Sequence, residues 1–194
     1  MFCARGRFTL RLASLNFPSF VRPCSSLRFA LLPLCLALAG CGTVVPQLEE
    51  ISLSRWREQI PGVYRGKILV VTAWAGWCRS CVEVFPDLVR IARIYQPRGV
   101  AFAGVCLDDA ADQPALEEAR NLVEEQQVPF ATYLLRSEIS EALAELDAQG
   151  IPLVLLYDAT GELRYQLEGD DFDNEISPAD IEDAIESLLA VDAP

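Results

Sequence analysis

Lys67-Ile68-Leu69-Val70-Val71-Thr72-Ala73-Trp74 runs directly into Ala75-Gly76-Trp77-Cys78-Arg79-Ser80-Cys81. The first eight residues are almost all apolar and rich in β-branched side chains, so they read as a central strand buried on both faces. After Cys78 the pattern changes. Val82, Phe85, Leu88, Val89, Ala92 and Tyr95 recur at three- and four-residue steps, which predicts a helix to about Tyr95. Pro86 lies inside it and is expected to kink it. Two cysteines therefore open a helix at the end of a buried strand.

That context gives the spacing its meaning. Two intervening residues on a helical turn bring the sulfurs within disulfide distance. The helix start offers free N–H groups and a partial positive charge, which stabilise a thiolate. Cys78, at the open end of the turn, is expected to attack; Cys81, tucked under it, is expected to resolve the mixed disulfide. The Arg79 cation would lower the thiolate pKa further and push the pair toward the oxidising side. As an exposed residue it would be screened.

On the C-terminal side, Val100 to Leu107 reads as a second buried strand, followed by a turn rich in cap residues from Asp108 and a helix from Pro114 to about Glu125. Pro129 to Leu135 is a third strand and Ser137 to Leu146 a short helix. Leu153 to Tyr157 and Glu162 to Glu168 form a hairpin around Asp158-Ala159-Thr160-Gly161. Ser177-Pro178-Ala179-Asp180 opens a last helix to about Ala190. Helices between strands predict an α/β fold: a central, mainly parallel sheet with an antiparallel edge hairpin and helices on both faces.

On the N-terminal side, Leu53 to Ile60 is amphipathic and Pro61-Gly62 is expected to end it. Residues 41–60 read as a tether and residues 61–194 as the folded domain. Residues 1–40 carry five arginines and no acid, and Phe29 to Ala39 is an apolar run. Eleven residues are too short to span a bilayer as a helix but suit the core of a signal peptide. A buried helix of the mature domain is the alternative, opposed by Pro33 and the acid-free flank.

The remaining residues bear 11 basic and 28 acidic side chains, and the whole chain has a net charge of −12. So acidic a body repels phosphates, which sets nucleic-acid binding aside. There is no histidine. That removes Ser-His-Asp and Cys-His nucleophiles and histidine-ligated metals, and one C-x-x-C supplies only two ligands of a structural zinc site. No metal or other cofactor is expected. Cys106 lies in an apolar strand and reads as an inert core thiol.

Trp74 to Cys81, with Pro86 five residues on and Gly150-Ile151-Pro152 before the later strand, resembles the thioredoxin superfamily, most closely its exported TlpA/ResA-like thiol–disulfide oxidoreductases. The resemblance covers about residues 60–190. It implies a thioredoxin-like fold with Cys78 and Cys81 catalytic. It also implies a cis Pro152 facing them and an Ile151 main chain that pairs with substrate. Trp77, Arg79 and Ser80 would border that groove. Leu38-Ala39-Gly40-Cys41 is similar to a bacterial lipobox, which implies cleavage before Cys41 and its lipidation; ordinary cleavage at small residues is the alternative. Gly42 would permit sorting to the outer membrane.

The implied protein is a membrane-anchored enzyme facing the periplasm. It would exchange disulfides with exported proteins, as a reductant fed by an upstream thiol donor.

Three features depart from the family pattern. Arg79-Ser80 replaces the usual proline-containing pair. Thr72 stands where thioredoxins place a buried aspartate. Val84 stands where the TlpA/ResA branch has a glutamate, with Glu83 displaced by one position, or about 100° around the helix. Thr72 and Glu83 are the candidate proton partners of Cys81. The alternatives to an exchange enzyme are a non-catalytic binding module and a metallochaperone, the latter opposed by the absence of histidine. A peroxidase is opposed by Ala75, where peroxiredoxins carry a threonine.

Overall fold

A computed structural model of the chain describes residues 48–169 and 175–191. The leader, Cys41, the first part of the expected tether and the acidic segment 170–174 lie outside them. Six strands form one sheet in the order β1-β4-β3-β2-β5-β6. The strands are β1 (Glu49–Ser52), β2 (Leu69–Trp74), β3 (Ala101–Cys106), β4 (Ala131–Arg136), β5 (Leu153–Tyr157) and β6 (Leu163–Glu168). The helices are α1 (Leu53–Val63), α2 (Arg79–Tyr95), α3 (Gln113–Glu125), α4 (Ile139–Glu145) and α5 (Pro178–Val191).

β2 and β3 are buried at every residue, as their unbroken apolar sequences require of strands covered on both faces. They pair in parallel, Leu69 with Ala101 through Trp74 with Cys106. β4 and β1 extend the parallel half, and β5 and β6 are antiparallel on the other side. The expected α/β class and edge hairpin are thus present.

β5 departs from the simplest expectation. It follows a helix, yet runs antiparallel to β2. α4 has seven residues, about 10 Å of helix, against about 20 Å for a six-residue strand. So short a helix does not return the chain to the opposite end of the sheet.

The tether reading of residues 41–60 is corrected over its described part. Glu49–Ser52 is an edge strand in register with Tyr133 to Arg136, and α1 follows it directly. Ser52 caps that helix, its Oγ accepting from the Arg55 N–H at 3.3 Å. Ile51, Trp56 and Ile60 are buried in the common core. Each contributes about 1.5–3 kcal/mol of burial, which anchors the segment. α1 also continues through Pro61-Gly62 to Val63. Proline at position 61 cannot donate to the Arg57 carbonyl, and so forfeits a single hydrogen bond in the last turn of the helix.

α2 is one continuous helix through Pro86. Phe85 meets the Trp74 ring edge-on, centroids 4.8 Å apart, which seats the helix on the sheet. α5 packs beside α2; an Arg90–Glu182 ion pair joins them, and Arg98, in the turn just after α2, pairs with Glu186.

Candidate active site

β2 ends at Trp74 and three residues turn the chain into α2. Cys78 is the N-cap, with extended backbone (φ −83°, ψ 105°), and its sulfur accepts the Cys81 N–H at 3.2 Å. A thiolate at this position would receive the same bond and the positive end of the helix dipole. Cys78 and Cys81 are joined by a disulfide with Cα atoms 5.2 Å apart. Cys81 is fully buried and Cys78 only 4% exposed. The expected contrast between an open and a covered cysteine is therefore small in the oxidised form.

Across the sheet, the loop before β5 approaches the pair. Its Ile151–Pro152 bond is cis, and the Ile151 carbonyl oxygen lies 3.8 Å from Cys78 Sγ. Ser80 Oγ lies 3.5 Å from the same sulfur. Cys78, Ser80, Ile151 and Pro152 are thus brought together from residues more than seventy positions apart. A groove of about 150 Å³ runs beside them, lined by Ser80, Glu83, Val84, Asp87, Pro152 and Ile176 among others. Trp77 stands exposed on the turn just before Cys78.

Arg79 and Glu83 are directed to solvent. Their side chains are 88% and 58% exposed, and Arg79 Nε is 2.9 Å from Glu83 Oε1. Glu83 borders the groove but its carboxylate is bonded along the helix surface. Thr72 lies inside β2, buried, and its Oγ1 has no hydrogen-bond partner among the described residues. It shares a lateral row with Gly104 and Thr132, whose hydroxyl is likewise unpartnered.

From the sequence alone Asp108 reads only as part of a turn. It is 1% exposed, and its Oδ2 accepts from the Gly76 N–H at 2.8 Å and the Cys106 thiol at 2.9 Å. The available signal was an acid immediately after an apolar strand, at the sheet end that carries the cysteines. Cys106 is a free, fully buried thiol. Burial first, and then the hydrogen bond to Asp108, push its pKa far up, so it stays protonated.

Fold and site together define a thioredoxin-like protein built around a cysteine pair at a helix N-terminus. A family model described as AhpC/TSA matches residues 47–168, and the chain belongs to that family. Solved structures agree on the fold. The thioredoxin domain of a thiol–disulfide oxidoreductase from Bacteroides vulgatus is 20% identical, with a TM-score of 0.53 over 65% of this chain and 81% of that one. A secreted disulfide oxidoreductase of Mycobacterium tuberculosis is 17% identical, with a TM-score of 0.53 over 66% and 86%. An uncharacterised conserved protein from Geobacillus kaustophilus is 27% identical, with a TM-score of 0.55 over 68% and 71%.

Proposed function

We propose that the protein is an exported thiol–disulfide oxidoreductase that exchanges disulfides with other proteins, acting as a reductant. The observation that carries this reading is the Cys78–Cys81 disulfide at the start of α2, with the Ile151 carbonyl 3.8 Å from the Cys78 sulfur. In the reduced protein the Cys78 thiolate attacks a substrate disulfide sulfur. A Cys78–substrate bond forms as the substrate bond breaks, and the substrate's leaving thiolate takes up a proton. Cys81, as thiolate, then attacks Cys78; the Cys78–Cys81 bond forms and the second substrate thiol leaves. Two electrons pass to the substrate, and an upstream thiol donor restores the dithiol.

The Ile151 main chain and the groove beside Pro152 would hold the substrate strand, with Trp77 at the rim. Thr72 or Glu83 would serve as proton partner of Cys81. Glu83 is the weaker candidate, since its carboxylate is bonded to Arg79. The anchor would be a lipidated Cys41, facing the periplasm from the inner or outer membrane, and the TlpA/ResA-like branch is the closest assignment. The basic, acid-free leader before an apolar run supports export.

Reduction of insulin disulfides by the reduced protein tests the activity. The wild type should be active, Cys78→Ser inactive, and Cys81→Ser should accumulate mixed disulfides. Equal activity in Cys78→Ser would sink the reading. Incorporation of labelled fatty acid into the wild type but not into Cys41→Ser tests the anchor.

A further inference from the structure

Asp108 sits one residue beyond Leu107, where the chain leaves β3. Burying a carboxylate is unfavourable unless its oxygens are bonded. Here one oxygen is bonded twice and the other, Oδ1, is buried without a hydrogen-bond partner among the described residues. Neutral residues would fill this space at less cost to stability, so the retained oxygen calls for an explanation in what it holds.

It holds the Gly76 N–H, two residues before Cys78. A second bond, from the Leu107 N–H to the Trp74 carbonyl at 2.8 Å, ties the start of the same turn to the same end of β3. The turn lies close against its surroundings: a Cβ on Gly76 would sit 3.5 Å from Asp108 Oδ2 and 3.5 Å from the Ala119 nitrogen. From Gly76 the order passes on to Cys78, whose N–H donates to the Ala75 carbonyl at 3.2 Å and whose sulfur receives the Cys81 N–H. Cys106, protonated and buried, donates to the oxygen that holds Gly76 and so keeps the carboxylate aimed.

We propose that Asp108 is a positioning residue for Cys78: its buried carboxylate, steered by the Cys106 thiol, pins the Gly76 N–H and so fixes the turn that sets the Cys81 N–H against the Cys78 sulfur. The consequence for activity rests on the oxidoreductase reading; the consequence for Cys78 does not.

Positioning and simple charge act in opposite senses. Fixing the turn favours the Cys78 thiolate by supplying an N–H bond, whereas a nearby negative charge disfavours it. Asp108→Ala removes both. Asp108→Asn removes the charge but leaves a carbonyl oxygen to accept from Gly76. The measurement is the pH midpoint of Cys78 alkylation by iodoacetamide in the reduced full-length chain, with the labelled peptide identified by mass.

The midpoint should rise by about half a unit or more in Asp108→Ala and should not rise in Asp108→Asn. An unchanged or lower midpoint in Asp108→Ala, or an equal rise in both variants, overturns the proposal. Should Asp108→Ala fail to fold, amide exchange in the reduced wild type decides. A Gly76 N–H protected at least about a hundredfold supports the bond, and an unprotected one refutes it. Insulin reduction measured alongside separates the two ideas: an inactive wild type refutes the oxidoreductase reading, while the Cys78 midpoint still reports on Asp108.

Discussion

Arg79 and Glu83 face each other one turn apart on the exposed side of α2, with Arg79 Nε 2.9 Å from Glu83 Oε1. The cation between the two cysteines is therefore already partnered, and its influence on the Cys78 thiolate is reduced. Removing Glu83 should release that influence, and removing Arg79 should abolish it. The midpoint potential of Cys78–Cys81 should rise in Glu83→Ala and fall in Arg79→Ala, each by roughly 10–20 mV. Equilibration with glutathione buffers checks the signs. Both variants should change stability by less than about 0.5 kcal/mol, as expected for an exposed pair.

Gly104 is required by the side chain beside it. A Cβ at this position would lie 3.1 Å from both Thr132 Cγ2 and Thr132 Oγ1, inside a packed sheet. Gly104→Ala should destabilise the protein by about 1–3 kcal/mol. Gly104→Ala combined with Thr132→Ala should recover part of that loss relative to the sum of the single changes. Urea denaturation of the four proteins measures the coupling, and strict additivity would contradict the close approach.

Tyr157 has its phenol pKa pushed up to about 12 by burial. The folded state thus holds a proton that the unfolded chain, titrating near 10, gives up. Stability from this group is complete below pH 10 and is lost as pH rises from about 10 to 12. Tyr157→Phe keeps most of the packing and removes the titration. Its urea midpoint should fall less steeply than that of the wild type across this range. Tyr64, raised likewise to about 12, contributes in the same sense.

Cys106 should resist alkylation in the native, reduced protein at pH 8 while Cys78 is modified, and should label readily in urea. It is fully buried, and burial and Asp108 keep it a thiol. Mass spectrometry of the labelled peptides distinguishes this from an accessible third redox centre.

Much was legible in order along the chain. The run from Lys67 to Trp74, the helical spacing after Cys78 and the turn at Asp158 to Gly161 each carry their own local signal. In the turn, Asp158 Oδ1 accepts from the Thr160 and Glu162 N–H groups, and Gly161 takes a left-handed φ of 88°. Glu49–Ser52 carried no such signal. Its one buried residue is Ile51, and it becomes a strand only because β4 offers an unpaired edge.

By itself the sequence determined the central strand, the two cysteines at the helix start and the exclusion of histidine chemistry, because periodicity and residue type are local properties. Three things were decided by the tertiary structure. It brought Ile151 to within 3.8 Å of the Cys78 sulfur, turned Glu83 to Arg79, and buried Asp108 against Gly76. Each depends on distance through space and on exclusion of water, which arise only when segments remote in sequence pack together.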